Sequence, residues 1–180
     1  MKNKLALVSI ASIVIIIVSY GLLAIPGQFV GMFDSNGSLI NSAGSSIAGY
    51  EYIFHCVHEI ADKVENPFFA NGRASVAGIM AVIFMFFACG SFVFHKKSTA
   101  LPLLGGILET LSGFFFVMTT PFACLCYPKS ISSIRAMWLP YVIGSIMLVL
   151  GLAAIYFAVV ELRKEKATLA TKGGYSYLKK

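Results

Sequence analysis

The sequence predicts an all-α membrane protein, a four-transmembrane-helix antiparallel bundle with a short amphipathic exoplasmic helix. Three observations carry that expectation. First, 58% of the 180 residues are hydrophobic and 12% charged, against about 45–50% and about 25% in soluble domains. Second, the runs 5–25, 74–94, 100–120 and 137–160 are each at least 21 residues long and apolar throughout, Glu109 excepted. That length meets the ~20 residues needed to cross a ~30 Å hydrocarbon core. Third, only His95 to Thr99 separate the second run from the third, a connection short enough to force an antiparallel helix pair. The longest stretch outside the runs is 26–73, so residues 1–180 read as a single integral membrane domain with no room for a separate soluble catalytic one.

The first run follows Lys2 and Lys4 as a signal peptide would. Its apolar stretch exceeds the ~7–15 residues of a signal core and ends in LLAIPG without a small-x-small cleavage pattern, so it is expected to be retained. Ser9, Ser12 and Ser19 interrupt it, and Ser12 and Ser19 are seven apart, on one side of a helix. Such spacing of small hydroxyl residues marks a face on which another helix packs.

The loop 26–73 is expected on the exoplasmic side. Residues 34–49 are rich in Ser, Gly and Asn, hence turn-rich, and contain the glycosylation pattern Asn36-Gly37-Ser38. From about 50 to 65 the loop becomes amphipathic: Ile53, Val57, Ile60 and Val64 recur at helical spacing, while His55, His58, Glu59 and Asp62 share another face. Asn66-Pro67 ends this helix, which should lie on the outer membrane surface or cap the bundle.

The second run carries Ala74, Ala77, Gly78, Ala81 and Ala88 among bulky Phe, Met and Ile, a close-packing face. The third holds Glu109, with Gly105 and Gly113 one turn to either side. In the fourth, Gly144, Gly151 and Ala158 stand seven apart, a seam suited to packing at about +20°. The tail 161–180 is basic; it should continue the helix to about Lys172 and stop at Gly173-Gly174.

Charge sets the expected orientation. With four spans both termini share a side, which carries Lys2, Lys4, Lys96, Lys97, Arg163, Lys164, Lys166, Lys172, Lys179 and Lys180; the other side has Lys63, Arg73, Lys129 and Arg135. The excess places both termini in the cytoplasm, in a multi-pass protein of the cell membrane. The +6 net charge is then a membrane-facing feature, drawing anionic lipid to the C-terminal tail at about 1 kcal/mol per residue near the surface, and no nucleic acid partner is implied.

Three groups of residues could carry chemistry. His55, His58, Glu59 and Asp62 offer imidazole and carboxylate, a ligand set for zinc or a related ion. They do not follow the HExxH order, and a solvated polar face is the competing reading. Cys56, Cys124 and Cys126 all fall outside the spans on the exoplasmic side, where a pair could form a disulfide; free thiols at the bilayer edge are the alternative. Glu109 is the one charged side chain inside a span, and a carboxylate at that depth on an isolated helix costs about 2.5–3.5 kcal/mol. At about 1.5 Å per residue its depth matches that of Ser12, which makes Ser12 its expected partner and a neutral, hydrogen-bond-donating carboxyl its expected form. Intramembrane acids serve proton or ion paths or simply fix packing.

The layout of a large first exoplasmic loop, a short second one and cytoplasmic ends resembles the claudin and peripheral-myelin type of four-span protein. The resemblance is one of topology: the chain's one tryptophan is Trp138, and the first loop has Cys56 where that family places a Trp-containing motif with two cysteines. No residue role is carried over. No nucleotide-binding loop, hydrolase elbow or zinc-protease motif is present in the sequence, and no cofactor is expected. The expected function is that of a non-enzymatic multi-pass membrane protein acting through a protein partner or a second copy, as a scaffold or accessory subunit. The alternative is a small transporter or channel for protons or metal ions that uses Glu109 and the His55–Asp62 face.

Overall fold

The computed structural model describes residues 2–33, 36, 38, 48–54, 75–119 and 133–177. Four long helices dominate them: α1 (Lys2–Leu22), α3 (Val76–Val93), α4 (Ala100–Val117) and α5 (Trp138–Tyr177), with a one-and-a-half-turn α2 (Gly49–Phe54). All four are long and apolar enough to cross a membrane, which marks a multi-pass membrane protein.

Each long helix buries a stripe at alternating steps of three and four. On α1 and just beyond it the stripe is Leu5, Ser9, Ser12, Ile16, Ser19 and Leu23; on α3 it is Ala81, Met85, Ala88 and Phe92. On α4 it is Pro102, Gly105, Glu109, Ser112 and Phe116, and on α5 Ile143, Met147, Ala154, Ala158 and Glu161. That period is the one that keeps a seam facing its partners along the whole contact. Large apolar side chains point the other way: Leu7, Ile17, Val76, Phe86, Val149 and Tyr156 are all more than 60% exposed, as a lipid-facing surface requires.

The tightest contact joins α4 to α5 and is made by glycine. A methyl group placed on Gly113 would lie 2.6 Å from the Gly144 carbonyl oxygen, and one on Gly106 would lie 2.8 Å from that of Gly151. At both places one backbone rests on the other, which only an absent side chain allows. On α3 the approach is to a side chain: Gly78 faces Ile53 of α2.

Local chemistry sets the ends. Ser75 caps α3, its Oγ accepting the Gly78 N–H at 3.2 Å while its own N–H donates to the Ile53 carbonyl at 3.0 Å. Pro102 and Pro140 occupy the first turns of α4 and α5, where a missing N–H breaks no helical bond. α1 stops at Leu22, three residues before its apolar run does, because the chain turns there toward Pro26 and Gly27; Gly27 has φ 72°, a left-handed conformation suited to glycine. The expected stop at Gly173-Gly174 is corrected: α5 runs through both glycines to Tyr177. Glycine weakens a helix interior by about 1 kcal/mol relative to alanine but leaves the backbone bonds available, and the left-handed C-cap that would end the helix is not formed there. Its 40 residues span about 60 Å, twice the hydrocarbon core, so the polar end lies beyond it.

An addition to the expected helices is a two-stranded antiparallel ribbon of β1 (Val30–Phe33) and β2 (Ser133–Ala136), paired Val30 to Ala136 and Phe33 to Ser133. The Met137 N–H donates to the Phe29 carbonyl at 2.9 Å and extends the pairing. So short a ribbon is marginal alone. Here it is held down by Phe29, fully buried, whose ring packs 6.1 Å from Tyr52 and 5.9 Å from Phe116. The expected helix 50–65 is seen as Gly49–Phe54, and its continuation lies outside the described residues. Glu51, Tyr52 and Ile53 are all buried, so α2 is packed into this end of the bundle. Glu51 Oε2 accepts the Ala48 N–H at 2.7 Å, half of a capping box.

Candidate functional site

Hydroxyl groups in the long helices mostly satisfy themselves. Ser9, Ser19, Ser91 and Thr110 each donate to the carbonyl four residues back, at 2.7 to 2.9 Å. That bond is local and says nothing about a neighbour. Two serines act differently. Ser12 donates to Glu109 Oε2 at 2.7 Å, joining α1 to α4, and Ser112 donates to the Ala81 carbonyl at 2.8 Å, joining α4 to α3. Glu109 and Ser112 are three apart on α4, so the two bonds leave adjacent turns of one helix in two directions.

Glu109 is fully buried. Its Oε2 is held by Ser12, while Oε1 has no hydrogen-bond partner among the described residues. The carboxyl is therefore half satisfied. Chemically the group can hold or exchange a proton or accept one further hydrogen bond. Among the described residues no imidazole or amine is bonded to it to make a nucleophile and base pair.

His55, His58, Glu59 and Asp62 lie outside the described residues, as do Cys56, Cys124 and Cys126. Among the described residues no three His, Cys, Asp or Glu side chains come together as a metal site, and Cys89, half-buried on α3, is a free thiol.

A second polar site was not read from the sequence. At the end of the bundle that carries the α3–α4 turn, Thr99 Oγ1 donates to Glu165 Oε1 at 2.7 Å, and Glu161, 5% exposed, stands one turn earlier on α5 with Lys164 Nζ 3.9 Å away. Both glutamates line a cleft of about 600 Å³ together with His95, Lys96 and Lys97 of the turn and Asn3, Leu5 and Ala6 of α1. His95 Nδ1 lies 2.8 Å from the Phe92 carbonyl oxygen, a donor position that orients the ring. The signal available in the sequence was Glu161 and Glu165 at i and i+4 on the face continuing the Gly151 to Ala158 seam.

No family model matches the chain, and no curated protein matches it.

Proposed function

We propose that this is a non-enzymatic multi-pass protein of the cell membrane that acts through partners, as a scaffold or accessory subunit, with its four spans in an antiparallel bundle and both termini cytoplasmic. The observation that carries the reading is the use made of the one carboxyl inside the spans. Glu109 sits at a helix junction, tied to Ser12 beside the Ser112–Ala81 link, where α4 and α5 touch backbone to backbone. A group so placed fixes helix positions, and a seam closed at glycine contact leaves no space for an ion between those two helices.

The antiparallel arrangement is supported by register: Gly106 meets Gly151 and Ala154, while Gly113 meets Gly144 and Leu148, so numbers rise on α4 as they fall on α5. The exoplasmic placement of α2 and the ribbon is supported by the lysine and arginine distribution. Basic residues of the tail would add contact with anionic lipid.

One observation favours the alternative, a small proton or metal-ion transporter with the His55–Asp62 face at its mouth: Glu109 Oε1 has no hydrogen-bond partner among the described residues. Vesicle reconstitution separates the two. The scaffold reading expects proton and divalent-ion flux at the level of protein-free vesicles, together with a stoichiometric protein partner or homo-oligomer on purification in mild detergent. Flux that Glu109→Gln abolishes would overturn it.

A further inference from the structure

The turn between α3 and α4 borders two concavities. Residues 95–99 line the charged cleft, and the residues flanking them, Phe94 and Leu101, line a groove between α1 and α3. The two meet at one contact: Lys97 of the cleft holds its Nζ 4.6 Å from the ring centroid of Phe94 of the groove. The groove is walled by Ile17 and Tyr20 on α1 and by Phe86 to Phe94 on α3, and it is apolar along its length.

The lining selects the tail. The groove holds about 470 Å³ along the ~12 Å of helix between Phe86 and Phe94, and its apolar walls suit a hydrocarbon chain. Charge selects the head. Lys96 and Lys97 line the same cleft as Glu165, while Glu161, 5% exposed, is already paired with Lys164. The cleft thus offers a cationic pair and a carboxylate, which a zwitterion can satisfy together. Glu165 spends one lone pair on Thr99, and a carboxylate offers about four, so it can still accept from a primary ammonium. A quaternary ammonium has no N–H to donate.

We propose that the α3–α4 turn binds a phospholipid whose head carries a phosphate and a primary ammonium, as in phosphatidylethanolamine. The phosphate sits at Lys96 and Lys97, the ammonium at Glu165, and one acyl chain lies in the α1–α3 groove. Bulk lipid chains are as apolar as the groove, so the chain supplies fit and the head supplies selectivity. The proposal requires only that the helices cross a bilayer; both the scaffold and the transporter readings survive its failure.

Gly90 provides the cleanest test. It lines the groove, and no atom among the described residues lies within 4 Å of where its Cβ would be, so a side chain can leave the backbone there without collision. The protein is placed in nanodiscs of equal parts phosphatidylethanolamine, phosphatidylglycerol and phosphatidylcholine, released into mild detergent, and its retained lipid identified by native mass spectrometry. Retention of phosphatidylethanolamine at least fivefold above either other lipid is expected. Gly90→Leu and the pair Lys96→Ala/Lys97→Ala should each reduce that retention severalfold, and Glu165→Gln should remove the preference over phosphatidylcholine while keeping an acceptor for Thr99. Equal retention of the three lipids, preference for phosphatidylglycerol, or a wild-type pattern in both Gly90→Leu and Glu165→Gln would overturn the proposal.

Discussion

Replacing Gly113 with alanine should part α4 from α5. The added methyl would stand 2.6 Å from the Gly144 carbonyl oxygen, 2.9 Å from the Leu148 nitrogen and 3.1 Å from Leu148 Cγ. Comfortable carbon contacts lie at ~3.5–4.0 Å, so the helices must separate by about 0.8–1 Å, a gap at which each contact along the seam forfeits a quarter to a half of its dispersion energy. Overpacking of this kind costs about 1–3 kcal/mol. Alanine returns about 0.8–1.0 kcal/mol through helix propensity, which obscures the effect in the single variant. The control is Gly90→Ala on α3, where the new methyl meets no described atom. Propensity cancels between the two, so Gly113→Ala should be about 1–3 kcal/mol less stable than Gly90→Ala. Titration with SDS from mixed micelles, followed by circular dichroism, reads the difference as a shift of midpoint. Adding Gly144→Ala to Gly113→Ala should cost less than the sum of the singles, because both methyls are relieved by one separation. Equal midpoints for Gly113→Ala and Gly90→Ala would refute the claim that glycine contact holds this seam.

Other outcomes are expected from the same structure. Glu109→Gln keeps an acceptor for Ser12 and should shift the SDS midpoint little, whereas Glu109→Leu removes the interhelical bond and should cost about 0.6 kcal/mol, at most about 1.7. A larger loss in Gln than in Leu would contradict the claim that this bond joins α1 to α4. Cysteines introduced at Ser45 and Lys166 should label from opposite faces of intact cells, Lys166 from inside; labelling from one face would remove the four-span topology. A bound divalent ion on the His55–Asp62 face should appear near stoichiometry in metal analysis and vanish in His55→Ala/Glu59→Ala, and background metal in the wild type would end that reading. An exoplasmic disulfide should give a mobility shift on reduction that Cys56→Ser abolishes; full alkylation without reduction would indicate free thiols.

What the sequence by itself determined is what each helix buries and roughly how far it runs. Spans of apolar residues broken only by small or hydroxyl side chains locate α1, α3, α4 and the membrane part of α5 to within a few residues, because length and period follow from a fixed rise and twist. The same regularity made Ser12 and Glu109 neighbours on paper: on two rigid helices a count of residues is a measure of depth, and the structure joins them at 2.7 Å. The sequence could not foresee the bond from Ser112 to Ala81, whose acceptor is a backbone carbonyl that any residue presents. Tertiary structure alone decided the ribbon, since Val30–Phe33 and Ser133–Ala136 are each too short to announce a strand and pair only because helices bring them together. It likewise decided the Phe29, Tyr52 and Phe116 cluster and the Thr99–Glu165 bond. Such contacts depend on the register between helices, and that register is set where Gly106 and Gly113 let α4 rest on the backbone of α5.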